Sequence, residues 1–231
     1  SYNFATWRTV VSGNVAIGKG EQDDAYLPYT INSAIATDPL PRSNLDAELD
    51  TTNVLLRVTS SPWRRVRLKG EYRYDDRDND SPVDTYDWVR VDSAPGDSTE
   101  NRIYSYTRDT VDLEASARLD KNSRFYVGYR YDGWDRDDQE RDETDTDRYW
   151  ARFRFDSGGV VDFRATGGSA SRGGSNYKAL VNDDFAPQNP LMRKYNMASR
   201  DRTDFEARID VAPADDLGLG FAATWADEDY S

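Results

Sequence analysis

The residues whose types and spacing invite chemistry are acids. In Asp75-Asp76-Arg77-Asp78-Asn79-Asp80, carboxylates recur at alternate positions, the spacing with which a calcium loop presents its first oxygen ligands. The run lacks the glycine and the distal bidentate glutamate of an EF-hand loop. It therefore reads either as a weak calcium site at Asp76, Asp78 and Asp80 or as a solvated acidic loop. Asp135, Asp137, Asp138, Asp142, Asp145 and Asp147 form a second run of the same kind. Asp112 with Glu114, and Asp204 with Glu206, have the residue types of a glycosidase pair, but Arg108, Arg118 and Arg208 lie in the same segments and ion pairing is the simpler use. Gly167-Gly168 and Gly173-Gly174 lack the Lys-Ser/Thr end of a phosphate-binding loop. The 231 residues include no Cys and no His, which removes disulfides, thiolate nucleophiles, covalent haem attachment, His-ligated zinc and Ser-His-Asp catalysis. No enzyme is expected. A net charge of −13 also argues against nucleic acid as a partner.

The elements that carry these side chains are strands. Over residues 65–75, Val66, Leu68, Gly70, Tyr72 and Tyr74 alternate with Arg65, Arg67, Lys69, Glu71, Arg73 and Asp75. Successive side chains of a strand point to opposite faces, so one face is apolar and the other charged. The split recurs with Val111, Leu113, Ala115 and Ala117 against Arg108, Asp112, Glu114 and Arg118. It returns with Phe125, Val127, Tyr129 and Tyr131 against Arg124, Tyr126, Arg130 and Asp132. Tyr149, Ala151, Phe153 and Phe155 face away from Arg148, Trp150, Arg152 and Arg154, and Phe205, Ala207 and Ile209 from Asp204, Glu206 and Arg208. Weaker alternation over residues 6–18, 52–59, 160–172 and 217–226 brings the expected total to about nine strands.

The connections alternate as well. Short turns are expected at Ser60-Ser61-Pro62-Trp63, Asp120-Lys121-Asn122-Ser123, Ser157-Gly158-Gly159 and Pro213-Ala214-Asp215-Asp216, and long polar loops over 20–51, 76–106, 133–147 and 173–201. Residues 75–101 and 132–147 each hold nine acids against two arginines, so the net negative charge belongs to the long-loop side. A soluble sandwich would bury the apolar phase as its core. Three features favour an outer-membrane barrel instead: strands of about 9–11 residues, which suit a tilted membrane span; strict short–long alternation of connections; and Tyr72, Tyr74, Tyr129, Tyr131, Tyr149 and Trp225 where strands meet long loops, the place of an interfacial aromatic girdle. The expected fold is all-β, an antiparallel up-and-down transmembrane barrel. Residues 1–231 form one segment of it, with short turns on one side and long acidic or polar loops on the other. Bacterial single-chain barrels use even strand numbers, so nine strands ending at Asp229-Tyr230-Ser231 read as part of a larger one. The expected location is the bacterial outer membrane, among lipid and lipopolysaccharide. A general solute porin is one function such a barrel could have.

Four strings are more specific than alternation. They are Asp24-Ala25-Tyr26-Leu27-Pro28-Tyr29-Thr30-Ile31-Asn32; Leu45-Asp46-Ala47-Glu48-Leu49-Asp50-Thr51-Thr52-Asn53-Val54; Leu68-Lys69-Gly70-Glu71-Tyr72-Arg73-Tyr74-Asp75-Asp76-Arg77-Asp78-Asn79; and Asn189-Pro190-Leu191-Met192-Arg193-Lys194-Tyr195-Asn196-Met197-Ala198-Ser199-Arg200-Asp201-Arg202. In this order and spacing, from about Asn14 to Phe205, the chain resembles the MtrB/PioB family of outer-membrane barrels associated with decaheme cytochromes. The resemblance implies a barrel of more than twenty strands that sheathes a periplasmic multihaem cytochrome, often in contact with an extracellular one. The haem would belong to the partner, with no cofactor in this chain beyond the calcium reading above. The lumen-facing residues implied as partner contacts are Arg65, Arg67, Arg73, Arg108, Arg118, Arg130, Arg152, Arg154 and Arg208, with Glu71, Glu114 and Glu206 beside them. An arginine fork suits haem propionates and surface carboxylates.

Overall fold

The computed structural model describes residues 2–4, 8–91, 94–178, 192–214 and 216–231. Its strands are β1 (Tyr2–Phe4), β2 (Thr9–Gln22), β3 (Ala47–Trp63), β4 (Val66–Asn79), β5 (Thr85–Val91), β6 (Ala94–Glu100), β7 (Tyr106–Arg118), β8 (Ser123–Arg136), β9 (Glu143–Asp156), β10 (Val161–Gly174), β11 (Arg200–Ala214) and β12 (Leu217–Tyr230). Ten of them make one sheet in the order β1-β2-β3-β4-β7-β8-β9-β10-β11-β12. Neighbours are antiparallel throughout. The expected nine long strands are present, and the three-residue β1 adds a tenth. Strands adjacent in sequence are adjacent in space, apart from the β5–β6 hairpin inserted between β4 and β7. The sheet is up-and-down and not closed: β1 and β12 form its two edges.

The sheet is a single layer, and its apolar face has no core over it. Among the described residues, the only buried hydrophobic side chains are Ile35, Ala170, Met197 and Ala198. Leu68, Leu113, Phe125, Val127 and Phe205 lie on the apolar face and are each more than one-third exposed. A water-soluble domain would cover such a surface, because contiguous exposed apolar patches above a few hundred Å² are rare on soluble monomers. Burial within the sheet instead favours the polar phase, with Thr110, Ser116, Arg136, Thr144 and Ala170 all buried there. Of the two other buried strand residues, Gly133 is covered by the Tyr131 side chain, and Ser123 is tucked beneath the Asp120 turn, whose carboxylate accepts its N–H at 2.8 Å. Crowding of polar side chains on one face is what the concave side of a curled sheet produces.

The strands and connections differ from expectation in four respects. The strands run 13 to 17 residues rather than 9–11, because each extends several residues past the apolar band. There both phases are polar, so alternation in the sequence vanishes although the ladder continues. For that reason the expected long loop at 133–147 shrinks to residues 137–142 between β8 and β9. The segment 76–106 contains β5 and β6, a hairpin of their own. Ser60 to Trp63 remain in β3 through a register shift, and the chain reverses at Arg64-Arg65. The reversal between β9 and β10 uses Gly158 and Gly159 at φ of 86° and 111°, conformations that side chains with a Cβ rarely adopt. At the turn before β8, Asp120 also accepts the Asn122 N–H at 2.7 Å. These bonds hold its carboxyl below the ordinary 3.8.

Candidate functional site: the polar wall and its two rims

Register assigns every side chain of the sheet to a face. Tyr72 lies opposite Leu56 and Val111, Leu113 opposite Gly70 and Tyr129, and Tyr149 opposite Tyr129 and Ser169. The apolar phase is therefore continuous from strand to strand. Each long strand offers about four successive apolar positions on this face, which span roughly 20 Å along the strand at 3.3–3.4 Å per residue, on the scale of the ~25 Å apolar band of an outer-membrane barrel once the flanking tyrosines are added.

The band ends in a hydrogen-bonded girdle on the long-loop side. Tyr72 Oη donates to Asp109 at 2.6 Å, Tyr129 Oη to Asp147 at 2.5 Å, and Tyr131 Oη to Asp145. Each tyrosine keeps its ring on the apolar face and its hydroxyl on an acid of the next strand, the arrangement expected where hydrocarbon gives way to water. Beyond the girdle the same phase turns to Asp76, Asp78, Asp145, Asp147, Asp227 and Asp229. Of the residues read as a calcium site, Asp76 lies opposite Thr52 and Thr107, and Asp78 opposite Asp50. Asp80 follows the strand end. They extend along one strand, and among the described residues no group of three acids converges on a cation-sized site.

The opposite phase is a wall of ion pairs. Arg57 bonds Glu71 at 2.7 Å, Lys69 meets Glu114 at 3.0 Å, and Arg108 bonds Asp132 at 2.7 Å. Arg148 reaches over Gly168 to Asp204 at 2.9 Å, a passage that a Cβ at Gly168 would obstruct. Aromatic rings lie among the charges: Arg108 and Arg136 stand 4.5 and 4.7 Å from the Trp134 ring, and Arg152 stands 4.9 Å from Trp150. Trp150 lies flat across Gly128, where any Cβ would collide with the indole.

The nine arginines expected on this wall separate into four groups. Arg73, Arg108, Arg130, Arg154 and Arg208 have acid partners in Glu71, Asp132, Asp112, Asp162 and Asp210. Arg152 bonds the Thr166 hydroxyl at 3.2 Å and lies against Tyr126 and Trp150. Arg67 and Arg118 have no carboxylate within ion-pair distance among the described residues, and both line a pocket of about 430 Å³ at the short-turn rim. Arg65 was expected on a strand and stands in the tight turn instead, donating to the Leu119 carbonyl at 3.3 Å. The turn falls there because β3 runs through all four residues of the expected turn, Ser60 to Trp63.

Sequence reasoning missed the interior of the long-loop rim. Glu140 and Arg141, within an acidic run, are 1% and 5% exposed. Arg141 donates to the carbonyls of Ser175 and Met197 at 2.7 and 2.8 Å and to the Ser199 hydroxyl at 3.1 Å. Glu140 pairs with Lys194 at 2.6 Å. Arg172 holds the Ala198 carbonyl at 2.8 Å. Burial lowers the pKa of Arg141. This knot ties residues 137–142 to residues 192–199 of the fourth string; residues 189–191 of that string lie outside the described residues. The loop that carries the first string makes a second knot: Tyr26 stacks edge-on against Tyr86 of β5 at 5.6 Å, and Arg42, later in the same loop, bonds Asp84 at 2.6 Å. Burial and the Tyr26 hydrogen bond push the Tyr86 phenol up to about 12. An arginine set inside an acid run was the available signal for the first knot.

An up-and-down antiparallel sheet with an apolar face bounded by a tyrosine girdle, a charged face, tight turns at one end and knotted loops at the other defines a porin-type outer-membrane β-barrel. The sequence profile of the family described as "Putative outer membrane beta-barrel porin, MtrB/PioB" matches residues 1–231. The chain is also 32% identical over 230 residues to the "Outer membrane protein MtrB" of Shewanella baltica (strain OS185), an alignment covering 100% of this chain and 32% of that protein. The chain belongs to the MtrB/PioB family and is an outer-membrane protein. It spans about a third of the length of the curated relative it matches.

Proposed function

We propose that the whole protein is a sheath: a wide outer-membrane barrel whose lumen holds a periplasmic multihaem cytochrome and lets electrons cross the membrane. The apolar phase keeps the electron path out of contact with hydrocarbon. The polar wall supplies salt-bridge and hydrogen-bond contacts to the guest, and this chain contributes no redox group of its own.

The observation that carries the reading is width. Nine long strands lie side by side without closing, and strands are spaced by about 4.8 Å, so this segment alone supplies roughly 40 Å of wall. An open edge in a bilayer leaves backbone groups unsatisfied, so further strands must complete the sheet. If the remaining two-thirds are built like this third, the barrel has on the order of 25 strands, well beyond the 16–18 of solute porins. Such a lumen admits a folded protein.

The test uses the full-length protein isolated from outer membranes and reconstituted into vesicles. Co-purification of haem absorbance with the barrel, together with reduction of an enclosed acceptor by an external donor, is the expected result. A barrel that purifies without haem and leaks small solutes is a general porin, and that result overturns the sheath.

A further inference from the structure

Register places one arginine on each of five consecutive strands at the same height. Arg118 on β7 lies directly opposite Arg124 on β8, Arg124 opposite Arg154 on β9, Arg154 opposite Arg164 on β10, and Arg164 opposite Arg208 on β11. Arg65 extends the row by one more position, since its carbonyl accepts the Arg118 N–H at 2.7 Å. The whole row sits on the polar face next to the short turns. Like charges directly opposite one another in a sheet are destabilising, so six in line require neutralisation.

Half of the row is neutralised from within. Arg154 bonds Asp162 at 2.8 Å, Arg208 bonds Asp210 at 2.7 Å, and Arg164 meets Glu206 at 3.5 Å. The other half is not. Arg65, Arg118 and Arg124, with Arg67 one step up the wall and Arg8 and Arg64 at the rim, have no carboxylate within 4.0 Å among the described residues, and all six line the same pocket of about 430 Å³. This is a cationic patch on a chain of net charge −13, at the end opposite the acidic loops.

Building on the sheath reading, we propose that this strip, centred on Arg67, Arg118 and Arg124, is a docking site for carboxylates of the protein seated in the lumen, at the periplasmic mouth of the barrel. The strip belongs to the polar phase, so lipid phosphates do not reach it. Its charge complements an acidic guest surface, and adjacent guanidinium forks receive carboxylates in bidentate fashion. A cationic mouth also attracts an anionic guest to the end from which it enters. The carboxylates are either acidic side chains of the guest or the propionates of its haems.

Three forms of the full-length barrel are coexpressed with the multihaem partner and compared for haem retained per folded barrel. One carries Arg67→Gln, Arg118→Gln and Arg124→Gln. A second carries Arg154→Gln and Arg208→Gln in the neutralised half; the third is wild type. The expected result is a loss of about tenfold in retention for the triple variant near physiological salt, a much smaller loss for the double variant, and a wild-type retention that falls with salt. Equal retention by the triple variant and wild type overturns the strip while leaving the sheath standing. Absence of haem from the wild-type barrel overturns the sheath, and the strip with it. Should the triple variant fail to fold, Arg118→Lys with Arg124→Lys keeps the charge and adds amines that a carbodiimide couples to a carboxylate in contact. Coupling to an Asp or Glu peptide of the guest, or to a haem propionate, supports the strip and identifies the source. A co-purified complex that yields neither adduct contradicts it.

Discussion

Leu113→Arg is expected to destabilise the folded barrel by about 2–4 kcal/mol, and Glu114→Arg by much less. The two positions are neighbours on β7 and differ only in face. Leu113 stands mid-band, opposite Gly70 and Tyr129, and is half exposed with no protein layer above it. A guanidinium there must be drawn out of hydrocarbon. Glu114 faces the polar wall beside Lys69 at 3.0 Å. Reversing its charge loses one partly exposed ion pair and sets two cations together, a cost on the scale of surface pairs, about 1 kcal/mol. Unfolding the full-length protein in denaturant from lipid vesicles measures both. Equal costs would mean that the two faces share one environment.

Arg141→Ala is expected to open the long-loop rim locally by about 2–4 kcal/mol while leaving the barrel intact. The guanidinium makes three hydrogen bonds, to Ser175, Met197 and Ser199, from a position 5% exposed. Hydrogen bonds from a charged donor contribute roughly 1.5–3 kcal/mol each, and buried carbonyls left without a partner add to the loss. Faster amide exchange should be confined to residues 137–142, 175–178 and 192–199, with the β7 and β8 amides unchanged. Global loss of protection would show that the knot supports the sheet rather than merely capping it.

The sheet was legible in the sequence because a strand half in lipid and half in a polar lumen has the strictest alternation a chain can carry. Val111 to Ala117 and Phe125 to Tyr131 could be assigned to a face from their phase alone. The strand extensions were not legible: above the girdle, Asp76, Asp78, Asp145 and Asp147 occupy the outer phase, and polar residues on both faces look like loop. The arginine wall was legible as a face but not as a pattern of partners. Which acid meets Arg108 or Arg154, and that none among the described residues meets Arg118, depends on register between strands, and register is set by turns whose position shifted by about three residues at Arg64-Arg65. The interior of the loops was hidden for a different reason. Glu140 and Arg141 are buried by segments distant in sequence, and charged residue types give no sign of burial.

One assignment underlies the sheath: the odd-numbered residues of β7 face lipid and the even-numbered ones face an aqueous or protein-filled lumen. This segment contains no cysteine, so single cysteines introduced through Tyr106–Arg118, in a full-length barrel freed of any cysteine outside the segment, carry the only spin label in vesicles. The most direct test is relaxation of these labels by oxygen, which concentrates in hydrocarbon, against a water-soluble nickel chelate. High oxygen and low nickel accessibility are expected at positions 111, 113, 115 and 117, the reverse balance at 110, 112, 114 and 116, and a switch to nickel at 109 beyond the girdle. Oxygen accessibility on the even positions, or no period of two, would contradict the assignment.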